Sequence, residues 1–196
     1  MKALPKLHAR RSLPRVAAWL GVACLALAGL ASGAAQREGV DEYQLKAALL
    51  GKFVRYITWP SDRLAPAGEP FVVAVLGRDP FGAHVDDTFK DRKVEGHPVV
   101  VRRIYDLEGL EKAHILFVPR SEAKTLDPVV RATRDAGVLL VSEVPGFALQ
   151  GGVLNFYAEK DLLRFEINID ELKRQRLKAS SDLLKLAKVV TDQRNT

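Results

Sequence analysis

Apolar residues recur along the chain at two different periods, and the change from one to the other marks the elements. In "DEYQLKAALLGKFVRYITWP", Asp41 to Pro60, the residues Tyr43, Ala47, Leu50, Val54 and Ile57 follow i, i+4, i+7, i+11, i+14, one face of an α-helix. Gln44, Lys52 and Arg55 fall on the other side, so the cations of this aromatic-rich stretch read as the solvated back of a core helix. Trp59-Pro60 ends it, because the residue before a proline is pushed out of the α region. "EPFVVAVLG" (69–77), "HPVVVRRI" (97–104), "AHILFVP" (113–119) and "AGVLLVSE" (136–143) are continuous apolar runs of strand length, the pattern of strands buried on both faces. Polar segments such as "SEAKTLDPVVRATRD" between them are long enough to hold a crossover helix. Alternating strand and helix predicts an α/β fold, a largely parallel sheet with helices on both faces in a Rossmann-like layering.

After Glu143 the period becomes two. "GGVLNFYAEKDLLRFEINID" divides into two strand-like arms around the polar turn Glu159-Lys160-Asp161, a β-hairpin. In the second arm Leu163, Phe165, Ile167 and Ile169 alternate with Arg164, Glu166 and Asn168, which predicts one buried and one wet face at an antiparallel edge. "DELKRQRLKASSDLLKLAKVV" then reads as a helical segment and a second one, with Ser180 or Ser181 as N-cap of the latter.

Charge changes the picture only at the start of the chain. The whole sequence carries 30 basic and 24 acidic residues. Five of the basic ones (Lys2, Lys6, Arg10, Arg11, Arg15) lie in residues 1–35, which hold no acid, so the other 161 residues carry 25 basic against 24 acidic groups. A near-neutral remainder argues against a nucleic-acid partner. The basic start, the apolar run Val16 to Ala31 and the small residues "SGAA" read together as a secretory signal peptide, residues 1–35, ahead of one α/β domain over 36–196. A retained membrane anchor is the alternative reading of that run. Export would leave no thiol, since Cys24 is the only cysteine, and so no disulfide or thiolate metal site.

"YQLKAALLGKFVRYITWP", "FVVAVLGRDPFG", "HILFVPRSE" and above all "GGVLNFYAEKDLLRFEINIDELKRQRLKASSDLLKLAKVV" resemble, in this order, the blocks of the YfiR-like family, over roughly Tyr43 to Val190. The resemblance implies a periplasmic regulator that binds the sensory region of an inner-membrane diguanylate cyclase of the YfiN type and holds it inactive, keeping cyclic-di-GMP and biofilm formation low. Relatives that use cysteine pairs tie this to periplasmic oxidation; here Phe117, Val118 and Pro119 stand in "HILFVPRSE", and that input cannot operate.

The residues themselves offer little chemistry. His84, His97 and His114 lack the spacing of a metal site, and His114 reads as a hydrogen-bonding group at a strand end. No serine sits in a nucleophile elbow, and "GFALQGG" precedes a strand instead of opening a helix, so it reads as a turn and not as a phosphate cradle. Asp79, Asp86, Asp87 and Asp91 read as a solvated acidic face. No catalytic residue, metal ligand or cofactor is expected. For a partner surface the candidates are Phe147, Phe156, Glu166 and Leu172, near the hairpin and C-terminal segments, where exposed anchors would serve as hot spots. A homodimer through the hairpin or an edge strand is a further expectation. The second functional class is an exported small-molecule-binding module, with a pocket at the carboxyl ends of the parallel strands and lips at Gly77 to Phe81 and Pro119 to Glu122.

Overall fold

The structure, a computed structural model, describes residues 41–64 and 68–192. The proposed leader lies outside the described residues. Helix α1 (Glu42–Tyr56) starts at Asp41, whose side chain accepts from the Tyr43 N–H. It ends where Ile57 turns extended, just before Trp59-Pro60. The two-residue strand β1 (Ile57–Thr58) follows, and after Pro70 comes β2 (Phe71–Leu76), a central strand of the main sheet. Next come α2 (His84–Phe89), β3 (Lys93–Val94), β4 (His97–Ile104), β5 (Ile115–Val118), α3 (Leu126–Ala132), β6 (Leu139–Ser142), β7 (Leu154–Glu159) and β8 (Leu162–Asn168). The chain closes with α4 (Ile169–Arg174), β9 (Lys178–Ala179), α5 (Ser181–Leu186) and β10 (Lys188–Val190).

Eight strands form one sheet in the order β10-β8-β7-β6-β5-β2-β4-β3, and β1 pairs with β9 separately. From β4 through β7 all neighbours are parallel. Every residue of β2, β5 and β6 is buried, which is why these strands read as unbroken apolar runs. The connection from β2 to β4 runs one way along the sheet and that from β5 to β6 the other, so right-handed crossovers put α2 and α3 on opposite faces. Helix α1 lies beside α2, and the close approach is at Gly51, where a Cβ would collide with Thr88.

The hairpin forms as predicted, with Glu159 opposite Leu162. Its turn is tighter than expected, only Lys160 and Asp161, both left-handed at φ 49 and 61, the geometry that matches strand twist in a two-residue loop. Two expectations for the C-terminal part are corrected. Ile169 does not continue β8 but begins α4, because the Asn168 side chain accepts from the Asp170 and Glu171 N–H groups and caps the helix. The last helical segment also stops early: Ser180 caps α5 as predicted, but Ala187 turns extended and "KVV" becomes β10, parallel to β8. The hairpin arm is therefore not the sheet edge over its whole length. Glu166 and Asn168, expected on a wet face, are buried where β10 runs beside them, while Arg164, beyond its reach, stays exposed.

Candidate functional site

The four residues expected to meet a partner all lie in the interior. Phe147 opens a 3-10 turn (Phe147–Gln150) between β6 and β7, and its ring fills the space a Cβ on Gly152 would need. This close approach explains the second glycine of the pair in "GFALQGG"; the first, Gly151, is left-handed at φ +102 and packs against Val130. Phe156 on β7 stacks on Phe53 of α1, with ring centroids 5.9 Å apart. Leu172 is buried on α4, and Glu166 of β8 pairs with Lys188 of β10 at 3.1 Å. The expectation of exposed anchors is corrected: all four are buried, Phe156 under α1 and Glu166 beside β10. Open apolar surface around them comes instead from Leu149, Leu162, Leu186 and Val189, with Leu186 72% exposed.

The same helix that covers Phe156 also carries a charge into the core. Lys46, 1% exposed, ion-pairs with the buried Glu143 just beyond β6, and with Glu42 one turn earlier at 2.5 Å. Glu143 also accepts from Tyr43 Oη at 3.0 Å and from the Arg120 N–H at 3.1 Å. Burial alone would raise the Glu143 carboxyl, but the bond from Lys46, with those from Arg120 and Tyr43, outweighs it and holds the group below the ordinary carboxylate value. Burial, reinforced by the neighbouring Glu143 charge, pushes the Tyr43 hydroxyl up to about 12. The network ties the first turn of α1 to the carboxyl ends of β5 and β6.

At the opposite end of the sheet His114 does what its strand-end position predicts. Its Nδ1 accepts from the Val72 N–H at 3.0 Å, which fixes the proton on Nε2, and Nε2 donates to the Arg63 carbonyl at 2.8 Å. The ring stacks on Phe71. Burial pushes its pKa below the ordinary value of 6.5, since a second proton would have to displace the Val72 donor. The unfolded chain takes up that proton more readily than the folded one, so His114 contributes stability above pH 6.5 that is lost as pH falls toward its lowered pKa. Urea midpoints of the wild type should accordingly fall more between pH 7.5 and 5.5 than those of His114→Gln. Equal falls in the two proteins would reject the assignment.

The strand order reverses direction between β2 and β5, and a cleft of about 540 Å³ opens beside the carboxyl end of β2, with Glu122 and Thr125 from the segment after β5 along one side. Leu76, Gly77, Arg78, Tyr105, Leu107 and Glu122 are among its lining. This is where doubly wound sheets take ligands, and both sequence-predicted lips contribute to it, through Gly77 to Asp79 and through Glu122. The acidic cluster near it is divided: Arg103 holds Asp79 and Asp86, and the Asp79 side chain also accepts from the Phe81 N–H. Among the described residues no three His, Cys, Asp or Glu side chains group as metal ligands.

A family model described as YfiR/HmsC-like matches residues 43–188, from the first turn of α1 to the start of β10. The chain belongs to the YfiR/HmsC-like family. Among solved structures, a conserved domain protein from Vibrio cholerae O1 biovar El Tor is similar with a TM-score of 0.51 and 9% identity, over 77% of this chain and 60% of that one. The ABC domain from Streptococcus pneumoniae, solved in complex with L-Trp, gives a TM-score of 0.48 at 11% identity, over 74% and 61%. The chain thus spans about three fifths of these two structures, and at 9% identity the likeness to the Vibrio protein concerns the fold alone. No curated protein matches it.

In this YfiR/HmsC-like domain Glu143 was not singled out from sequence, and the reading of the α1 cations as solvated is corrected for Lys46, which is buried. Lys46 follows Leu45 and Gln44 in a helix whose other cations are solvated, and its partner is 97 residues away. A signal existed: at 100° per residue Lys46 falls between Leu50 and Phe53, inside the buried arc.

Proposed function

We propose that the chain is an exported periplasmic regulator that binds the sensory region of an inner-membrane diguanylate cyclase, holds it inactive, and so lowers cyclic-di-GMP and biofilm formation. The observation that carries this reading is the YfiR/HmsC-like match over residues 43–188. Two features support it. The basic and apolar leader "SLPRVAAWLGVACLALAGLASGAA" is of the kind that directs export, and no helix among the described residues is long and apolar enough to cross a membrane. The partner surface is placed over the hairpin and the C-terminal segments: Phe147, Phe156, Glu166 and Leu172 shape it from beneath, and Leu149, Leu162, Leu186 and Val189 offer apolar area at the surface. Repression requires that the chain prefer the inactive form of the cyclase; turning a 99:1 balance around takes about 5.5 kcal/mol of differential affinity. Deleting the gene should therefore raise cyclic-di-GMP and surface attachment, and the rise should disappear when the cognate cyclase is deleted as well. Since no cysteine follows Cys24, a periplasmic reductant should leave repression unchanged. Unaltered cyclic-di-GMP in the deletion strain, with the cyclase expressed, would reject the reading. The cleft beside β2 favours the second reading, a small-molecule-binding module, and the two are compatible if the ligand tunes the partner contact.

A further inference from the structure

The cleft at the carboxyl end of β2 has an uneven distribution of unpaired charge. Of its carboxylates, Asp79 is committed to Arg103 at 2.8 Å, and Asp106 accepts from the Glu108 N–H at 3.1 Å. The Glu122 carboxylate has no hydrogen-bond or ion-pair partner among the described residues. It is half-buried and packed against Gly77, whose left-handed backbone, φ +66, and missing Cβ leave the room it occupies. Any side chain at that position would collide with it. Opposite stand two large apolar groups that the fold does not cover, Tyr105 at 79% exposure and Leu107 at 41%, and Leu76 completes an apolar wall. Arg78 is also unpaired among the described residues but sits exposed, where solvent and salt screen it more than they screen Glu122.

We propose that this cleft binds a small organic amine, its ammonium group paired with Glu122 and its apolar body laid on Leu76, Tyr105 and Leu107. The volume suits such a ligand, since pockets for small molecules span roughly 300 to 1,000 Å³ and combine apolar walls with a few polar groups. A half-buried carboxylate gains more from an ammonium than a fully hydrated one does. An aromatic amine adds ring contact with Tyr105. The inference goes beyond the regulatory reading and stands or falls without it.

The test is calorimetric titration of the full exported chain with phenethylamine, alongside 2-phenylethanol and 3-phenylpropionate as the neutral and anionic counterparts. The amine should bind, and the alcohol and the carboxylate about tenfold more weakly or worse. Glu122→Gln, which keeps the side-chain shape, should weaken amine binding by about tenfold while leaving the urea midpoint unchanged. Tyr105→Ala, at an exposed position, should weaken it by about fivefold. Preference for the carboxylate would move the site to Arg78 and overturn the proposal. Amine affinity unaffected by Glu122→Gln would do the same, as would no binding at the highest soluble amine concentration.

Discussion

Lys46→Met should destabilise the fold by about 3 to 5 kcal/mol at pH 7, the cost of leaving a buried carboxylate without its cation. Glu143 would keep the Tyr43 hydroxyl and the Arg120 N–H as donors, which offsets part of the loss but does not neutralise the charge. The reverse substitution, Glu143→Leu, should cost less, because Lys46 retains Glu42, 2.5 Å away and open to water. Combining Lys46→Met with Glu143→Leu should recover most of the single-variant loss, since an apolar pair of similar volume needs no desolvation of charge. The pH dependence has a defined sign. The Glu143 carboxyl is held below 4.5 in the native state, so its contribution is present above that value and is lost as pH falls through the lowered pKa. In Lys46→Met, burial dominates and that pKa rises, so the gap between variant and wild type should narrow from pH 7 to pH 4. Urea titrations at the two pH values measure it; a gap that widens toward acid would show that Lys46 is not the counter-charge of Glu143.

What could be read from sequence depended on whether a residue's environment is set by its neighbours along the chain. The strands β2, β5 and β6 were legible as unbroken apolar runs because both of their faces are covered by any doubly wound arrangement. The first helix was legible from its stripe, although Phe53, 1% exposed and outside the stripe, turned out to hold Phe156 and Phe165 together. The close of the chain was not legible. "DLLKLAKVV" fits a helical period, and only the free edge of β8 draws its last three residues into a strand. The same event buried Glu166, which alternation alone placed in water. The burial of Phe147 and Phe156 was not legible either, since sequence shows that they are apolar but not which distant element covers them, α1 in the case of Phe156. The cleft lies where the sequence put it because the carboxyl ends of the strands follow from the βα alternation, whereas the strand order that makes it a switch point did not. Its unpaired Glu122 required coordinates.

The register of the hairpin is the most exacting check on this account, because a shift of one residue would turn Phe165 and Ile167 to the opposite face of the sheet. In the structure Phe165 lies opposite Phe156, and its ring meets Phe53 edge-on with centroids 5.2 Å apart. Phe165→Ala should therefore cost about 3 to 5 kcal/mol, combining lost transfer energy with a cavity that α1 and β7 cannot collapse to fill. Arg164 points the other way, half exposed, and its ion pair among the described residues is with Glu159 at 3.9 Å. Its replacement by alanine should stay within about 0.5 kcal/mol, since an exposed pair at that distance contributes little. The two variants differ by one position in the chain, so place in the strand and hairpin length cannot explain a difference between them. Denaturant midpoints for both, with unchanged slopes, give the answer. A large loss in Arg164→Ala beside a small one in Phe165→Ala would mean that β8 is shifted by one residue, and the stack of Phe53 on Phe156 and Phe165 would have to be rebuilt with it.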